Sequence, residues 1–117
     1  MYTKAGCEIA VATTKAYLAQ LTTFIAITMN LTNNKKLLKE IKTIPTLIEE
    51  LINKDYKTIA KSIYKNKDIF FIGRGIDYSL AMEGSLKLKE ISYINSVAYQ
   101  AGELKHGTIS LIEKILL

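Results

Sequence analysis

The pattern of apolar and polar positions along this chain changes period at residue 68. Before it, every periodic segment is helical. Residues 8–31 carry apolar side chains around most of a helical circumference, among them Ile9, Val11, Ala16, Leu18, Leu21, Phe24, Ile25 and Ile27. A helix that is apolar nearly all round is expected to be buried, between layers or at an oligomer interface. Asn33-Asn34 end it. Residues 35–53 are amphipathic, with Leu37, Leu38, Ile41, Ile44, Leu47, Ile48 and Leu51 at helical spacing. Pro45 is expected to start a new helix within this stretch, with Thr43 as its cap and Glu49-Glu50 following. A further helix is predicted over about 55–65.

From Asp68 the run Ile-Phe-Phe-Ile-Gly73 is short, unbroken and apolar, the pattern of a strand buried on both faces. A helix is predicted from about 78 to 94, a second strand at 96–100, and the start of a third at 114–117. Strand, helix, strand is a parallel α/β unit. Its last strand breaks off as it begins, so the reading is a helix-rich α/β fragment, truncated.

Composition narrows this picture. The 117 residues fit one domain, and 49% hydrophobic content is enough for a core. The net charge of +5 comes from lysines that alternate with acids along helical stretches, which argues against nucleic-acid binding. Cys7 is the single cysteine, so no internal disulfide forms and a reducing, cytoplasmic setting is expected. Lys15, Gln20 and several threonines interrupt the apolar stretch after Ile9, so it falls short of the ~20 apolar residues of a membrane span.

Three features carry candidate chemistry. Gly73-Arg74-Gly75 follows a strand and precedes a helix, where glycine loops cradle phosphates, but it lacks a third glycine. Asp77, its expected N-cap, puts a carboxylate where a phosphate would sit, so a structural turn is the favoured reading. Glu83, Lys87 and Glu90 fall at i, i+4 and i+7 and share a helix face, beside a stripe of Met82, Leu86 and Tyr93. The plain reading is a surface ion pair of small value. The sharper one is a lysine and a carboxylate in a partly apolar cleft, their pKa values moved toward proton transfer. The lone histidine, His106, lies in a glycine-flanked loop beyond a parallel strand, where open α/β sheets place ligand sites, and its residue type suits acid/base work. One histidine with no second ligand nearby makes no metal site. Glu90 lies near the end of its helix, and the next strand runs back before reaching His106. Seven to ten residues at ~3.3 Å separate the two groups by about 20 Å or more in one chain. If both serve one site, they come from different subunits.

These residues carry a resemblance. Leu86-Lys-Leu-Lys-Glu-Ile-Ser-Tyr-Ile94 followed by Ala98-Tyr-Gln-Ala-Gly-Glu-Leu-Lys-His-Gly107 resembles the isomerase half of the glutamine–fructose-6-phosphate aminotransferases, or glucosamine-6-phosphate synthases. Ala5-Gly-Cys-Glu-Ile-Ala-Val-Ala-Thr-Thr-Lys-Ala16 and Phe71-Ile-Gly-Arg-Gly75 resemble two further stretches of the same family, in the same order. The resemblance implies two sugar isomerase (SIS) subdomains, each a parallel sheet flanked by helices. Residues 1–53 would be the last helices of the first and a connector, and residues 54–117 the first part of the second. It implies conversion of fructose 6-phosphate and glutamine-derived ammonia into glucosamine 6-phosphate, without metal or organic cofactor. It assigns Glu90 as the base moving a proton between sugar carbons C1 and C2, and Lys87 as a lysine assisting there. His106 becomes the ring-opening histidine supplied by a neighbouring subunit, and Val11 and Thr13 become sugar contacts.

The chain departs from the family pattern at three places. Thr13 stands where serine is usual and keeps the hydroxyl. Thr108 replaces a proline after His-Gly, which loosens the expected loop, and Cys7 stands where proline is common. The family's phosphate loop, glutaminase domain and C-terminal lysine tail are expected to lie outside residues 1–117, so the isolated segment is expected to be inactive. The alternative is a stand-alone SIS-like module that binds a sugar phosphate or associates with other subunits without catalysis. Either way the apolar helix favours a dimer or larger homo-oligomer.

Overall fold

The computed structural model describes residues 2–112; the strand predicted at 114–117 lies outside them. The chain forms two compact units, one ending at Tyr64 and the other beginning at Lys65.

The first unit is helical. Helix α1 spans Lys15–Thr32, not residues 8–31. Its start is delayed because Glu8 folds back onto it: one carboxylate oxygen accepts the N–H of Thr14 at 2.9 Å and of Ala16 at 3.2 Å. Those donors would otherwise be unpaired at the helix N-terminus, and residues 9–13 are drawn off as a loop. At the far end Asn33 adopts the left-handed conformation (φ 50°) that stops the helix. The side chain of Asn34 then accepts the N–H groups of Lys36 and Leu37, capping helix α2, Lys35–Ile41.

Of the two expected ways of burying α1, packing between layers is not found within the first unit, since none of its 18 residues is buried and Phe24 is 67% exposed. Burial needs a second layer, and the first unit does not build one over this helix. Four α1 threonines (22, 23, 28 and 32) donate their hydroxyls to carbonyls one turn back, which hides their polarity and widens the apolar surface.

Pro45 does start a helix, α3, Ile44–Ile52, just after α2 stops. Thr43 holds the N-cap position without capping, because its hydroxyl donates backwards to the Glu40 carbonyl at 2.7 Å. The last helix of the unit, α4, is Lys57–Ile63, shorter than predicted at both ends.

In the second unit, strand β1 (Asp68–Gly73) and strand β2 (Asn95–Gln100) pair in parallel from Asp68↔Asn95 to Gly73↔Gln100. Helix α5, Ile76–Ser92, connects them. Period-2 alternation puts Ile69, Phe71 and Gly73 on one face of the pair, with Ser96 and Ala98. Helix α5 lies on that face. The opposite face carries Phe70, Ile72, Val97 and Tyr99, with Phe70 and Tyr99 edge to face at 5.5 Å. The two-sided burial expected of β1 is therefore one-sided among the described residues, and Ile72 is 49% exposed.

Two glycines set how closely α5 approaches. A Cβ on Gly84 would come to 2.9 Å from Phe71 Cε1, and one on Gly73 to 2.5 Å from Tyr78 N in the first turn of α5. Gly75, not Asp77, takes the N-cap position, with φ 56°. Asp77 becomes the second residue of the helix because the Gly73-Arg74-Gly75 bend starts it at Ile76.

A pair of hydroxyls locks helix to sheet. Ser96 donates to the Ser85 carbonyl at 2.6 Å, and Ser85 donates to the Ser96 hydroxyl at 3.2 Å, both residues buried. Ser96→Ala removes both bonds and strands the Ser85 hydroxyl, a loss of about 1–3 kcal/mol by urea unfolding. Ser110→Ala, at an exposed site, is the near-neutral control. Equal stability of the two variants would contradict this role for the pair.

Candidate functional site

Helical spacing brings Glu83, Lys87 and Glu90 together as the sequence predicts. Lys87 Nζ lies 2.7 Å from Glu90 Oε2 and 3.5 Å from Glu83 Oε1. The three side chains are only 19–23% exposed, so this is more than a solvated surface pair. The hydrogen bond to Glu90 is the largest influence on Lys87 and raises its pKa above 10.5. Partial desolvation opposes it, and the charges of Glu90 and Glu83 add to it.

That direction corrects one expectation. Lys87 does not move toward proton transfer; it is held as an ammonium throughout the neutral range. A raised folded pKa contributes stability that is complete below the unfolded lysine value and fades as pH rises through the folded one. At neutral pH Lys87 is therefore a fixed positive charge and hydrogen-bond donor beside two carboxylates. The flanking stripe is open, with Met82 and Leu86 each 45% exposed and Tyr93 90% exposed. The second unit does not by itself close the apolar cleft that the sequence suggested. Tyr93 ends α5 in a left-handed conformation (φ 61°) rare for a bulky residue.

His106 lies beyond the other end of the strands. The Ala101 N–H bonds to the Gly73 carbonyl at 2.9 Å, anchoring the chain as it leaves β2. Residues 101–107 then coil tightly, with Leu104 N–H on Gln100 and His106 N–H on Glu103, and Gly107 (φ 127°) leads into a 3-10 turn, Thr108–Leu111. The His106 side chain is exposed. Glu90 sits five residues before β2 begins and His106 six after it ends. The six-residue strand between them, at about 3.3 Å per residue, separates their ends of the sheet by nearly 20 Å. Topology thus keeps them at opposite edges.

Val11 and Thr13 belong to the first unit, in the loop before α1. Val11 is 86% exposed. Glu8 is the residue that sequence reasoning missed. Desolvation, the largest single influence, would raise its pKa. The N–H groups of Ala16 and Thr14, the Thr13 hydroxyl and the charge of Lys15 together outweigh it and lower the pKa. Capping-box patterns look for an acid three residues after the cap. Glu8 lies six residues before Thr14, so no such pattern reveals it.

Among the described residues, no group of three or more His, Cys, Asp or Glu side chains could hold a metal ion, and no helix is long and apolar enough to cross a membrane.

Residues 62–117 match the SIS domain model. Over 97% of its length the chain is 50% identical to the glutamine–fructose-6-phosphate aminotransferase [isomerizing] of Caldanaerobacter subterraneus subsp. tengcongensis, and 49% identical to that of Clostridium acetobutylicum, covering 21% of each. The C-terminal domain of glucosamine-fructose-6-phosphate aminotransferase from Francisella tularensis superposes with a TM-score of 0.84 at 40% identity, over 95% of this chain and 34% of that one. The chain thus spans about a fifth of the length of the curated relatives it matches.

Proposed function

We propose, from the match of residues 62–117 to the SIS domain model, that the chain belongs to that family and is part of the isomerase domain of a glutamine–fructose-6-phosphate aminotransferase. The substrate is then fructose 6-phosphate, the nitrogen is glutamine-derived ammonia, and the product is glucosamine 6-phosphate. In this reading residues 1–53 close a first SIS subdomain and connect it to a second that starts at about residue 54.

The observation that carries the reading is the 2.7 Å pairing of Lys87 with Glu90, flanked by Glu83, at the positions where the family resemblance puts an assisting lysine and a base. Isomerising a ketose phosphate takes a proton from one carbon and returns it to its neighbour. Glu90 is the acceptor and donor of that proton. Lys87, fixed as an ammonium, stabilises the negative charge that develops on the sugar oxygen as the proton leaves. Val11 and Thr13 contact the sugar. His106 opens the sugar ring, and since Glu90 and His106 lie at opposite edges of the sheet, it does so in the site of a neighbouring subunit. A cytoplasmic homo-oligomer is part of the same proposal.

A grafted enzyme tests this. The chain replaces the aligned segment of the Caldanaerobacter relative, and glucosamine 6-phosphate formation from fructose 6-phosphate and glutamine is measured. Turnover within about tenfold of the parent is expected. A folded graft that binds fructose 6-phosphate but forms no product would instead support a non-catalytic binding module.

A further inference from the structure

We propose that Tyr93 walls the Lys87–Glu90 pair off from water, so that a proton taken by Glu90 returns to the sugar before it exchanges with solvent. The inference rests on the proposed function for the role of Glu90 as base; the strain at Tyr93 does not.

Two helices end on a left-handed residue, α1 at Asn33 (φ 50°) and α5 at Tyr93 (φ 61°, ψ 10°). Asparagine tolerates that conformation, whereas a bulky aromatic resists it. The cap itself needs no side chain. The Tyr93 N–H closes the helix on the Lys89 carbonyl at 3.2 Å, a bond that glycine makes with less strain. Nor does the ring serve packing within its unit, because Tyr93 is 90% exposed. Strain kept where neither the cap nor the core requires it points to function.

The strained residue is also clamped. Before it, the Ser92 hydroxyl donates to the Leu88 carbonyl at 2.6 Å and accepts the Ile94 N–H at 3.3 Å. After it, Asn95 opens β2 with its N–H on the Lys67 carbonyl at 3.0 Å and its side-chain amide on Asp68 Oδ1 at 2.6 Å. The Cα–Cβ bond of Tyr93 is therefore fixed in direction, and the ring keeps only the freedom of its two χ angles.

Position supplies the role. Tyr93 follows Glu90 by three residues, about 5 Å along the helix axis. Lys87 and Glu90 retain 19% and 21% exposure, an opening that serves substrate and water alike. An aromatic side chain covers about 150–250 Å², enough to close that opening behind a bound sugar. Closure matters because the proton on a carboxylic acid exchanges wherever water reaches it. Covered, Glu90 carries the proton from one carbon to its neighbour. Uncovered, it loses that proton to water and returns a solvent proton instead.

Isotope transfer tests this. Fructose 6-phosphate deuterated at C1 is given to the grafted enzyme in ordinary water, and the share of deuterium reaching C2 of glucosamine 6-phosphate is measured. The unsubstituted graft should carry part of the label across, and Tyr93→Phe, which keeps the ring, should match it. Tyr93→Asn and Tyr93→Gly should cut that share about threefold or more. In the 117-residue chain both should leave the urea midpoint unchanged or raise it, since each relieves the left-handed strain. Equal label transfer in all variants, none in the unsubstituted graft, or a fall in kcat alone overturns the shielding. So does a loss with Tyr93→Phe as large as with Tyr93→Gly, because the hydroxyl and not the ring would then act. A lowered urea midpoint for Tyr93→Asn and Tyr93→Gly overturns it too, by making the ring a packing residue. If the unsubstituted graft makes no product, the proposed function fails and takes this inference with it. If product forms and only the label pattern disagrees, this inference alone fails.

Discussion

Glu90→Gln in the grafted enzyme should lower kcat for sugar isomerisation by about 10²–10⁴, with KM and thermal unfolding little changed. Glutamine keeps the size of the side chain and an oxygen that accepts from Lys87 Nζ, now 2.7 Å away, so the helix surface stays assembled. It cannot take a proton from carbon. The direct measurement is exchange of the substrate's C1 or C2 hydrogen with deuterated solvent, which isolates the proton transfer from ring opening and ammonia supply. Exchange at the unsubstituted rate would remove Glu90 from the role of base. Lys87 then needs another account, because an ammonium whose pKa is raised cannot take over as base at neutral pH.

Gly73→Ala should cost about 3 kcal/mol of stability, at the upper end of the usual overpacking range. The added Cβ would sit 2.5 Å from Asp77 C and Tyr78 N. Both are backbone atoms, which cannot rotate aside as a side chain can. Relief requires α5 to lift from the end of β1, and that movement loosens the Ser85–Ser96 bonds and the seat of Phe71 under Gly84. Gly102→Ala is the control, since a Cβ there meets nothing within 4 Å. Urea unfolding of the two variants decides the matter. Equal midpoints would mean that α5 does not rest on Gly73 as closely as described.

The parts of this fold legible in the sequence were those set by local rules. The strand over 68–73 was readable because six residues without a helical repeat end at a glycine, and the structure has β1 at those bounds. The break at Asn33-Asn34 was readable because asparagine both tolerates the left-handed cap and caps the following helix. Glu83, Lys87 and Glu90 were readable as a cluster because a 3.6-residue repeat alone brings i, i+4 and i+7 together. The structure differs where a competing local contact or bend intervenes. Thr43 and Asp77 were expected to cap helices from sequence position. In the structure a nearby carbonyl takes the Thr43 hydroxyl, and a glycine bend moves the helix start ahead of Asp77.

The Glu83–Lys87–Glu90 cluster and the strand–helix–strand order were determined by the sequence itself, because periodicity acts over one or two turns and leaves its mark in residue type. Direction of travel through a parallel unit likewise predicted that Glu90 and His106 cannot meet within one chain. Only the tertiary structure decided how the lysine is charged, which loop Glu8 closes, and how tightly α5 meets the sheet at Gly73 and Ser96. Those depend on distances between atoms several to many residues apart. Hydrogen bonding, pKa shifts and steric exclusion change steeply over a few tenths of an ångström, a scale that residue spacing does not encode.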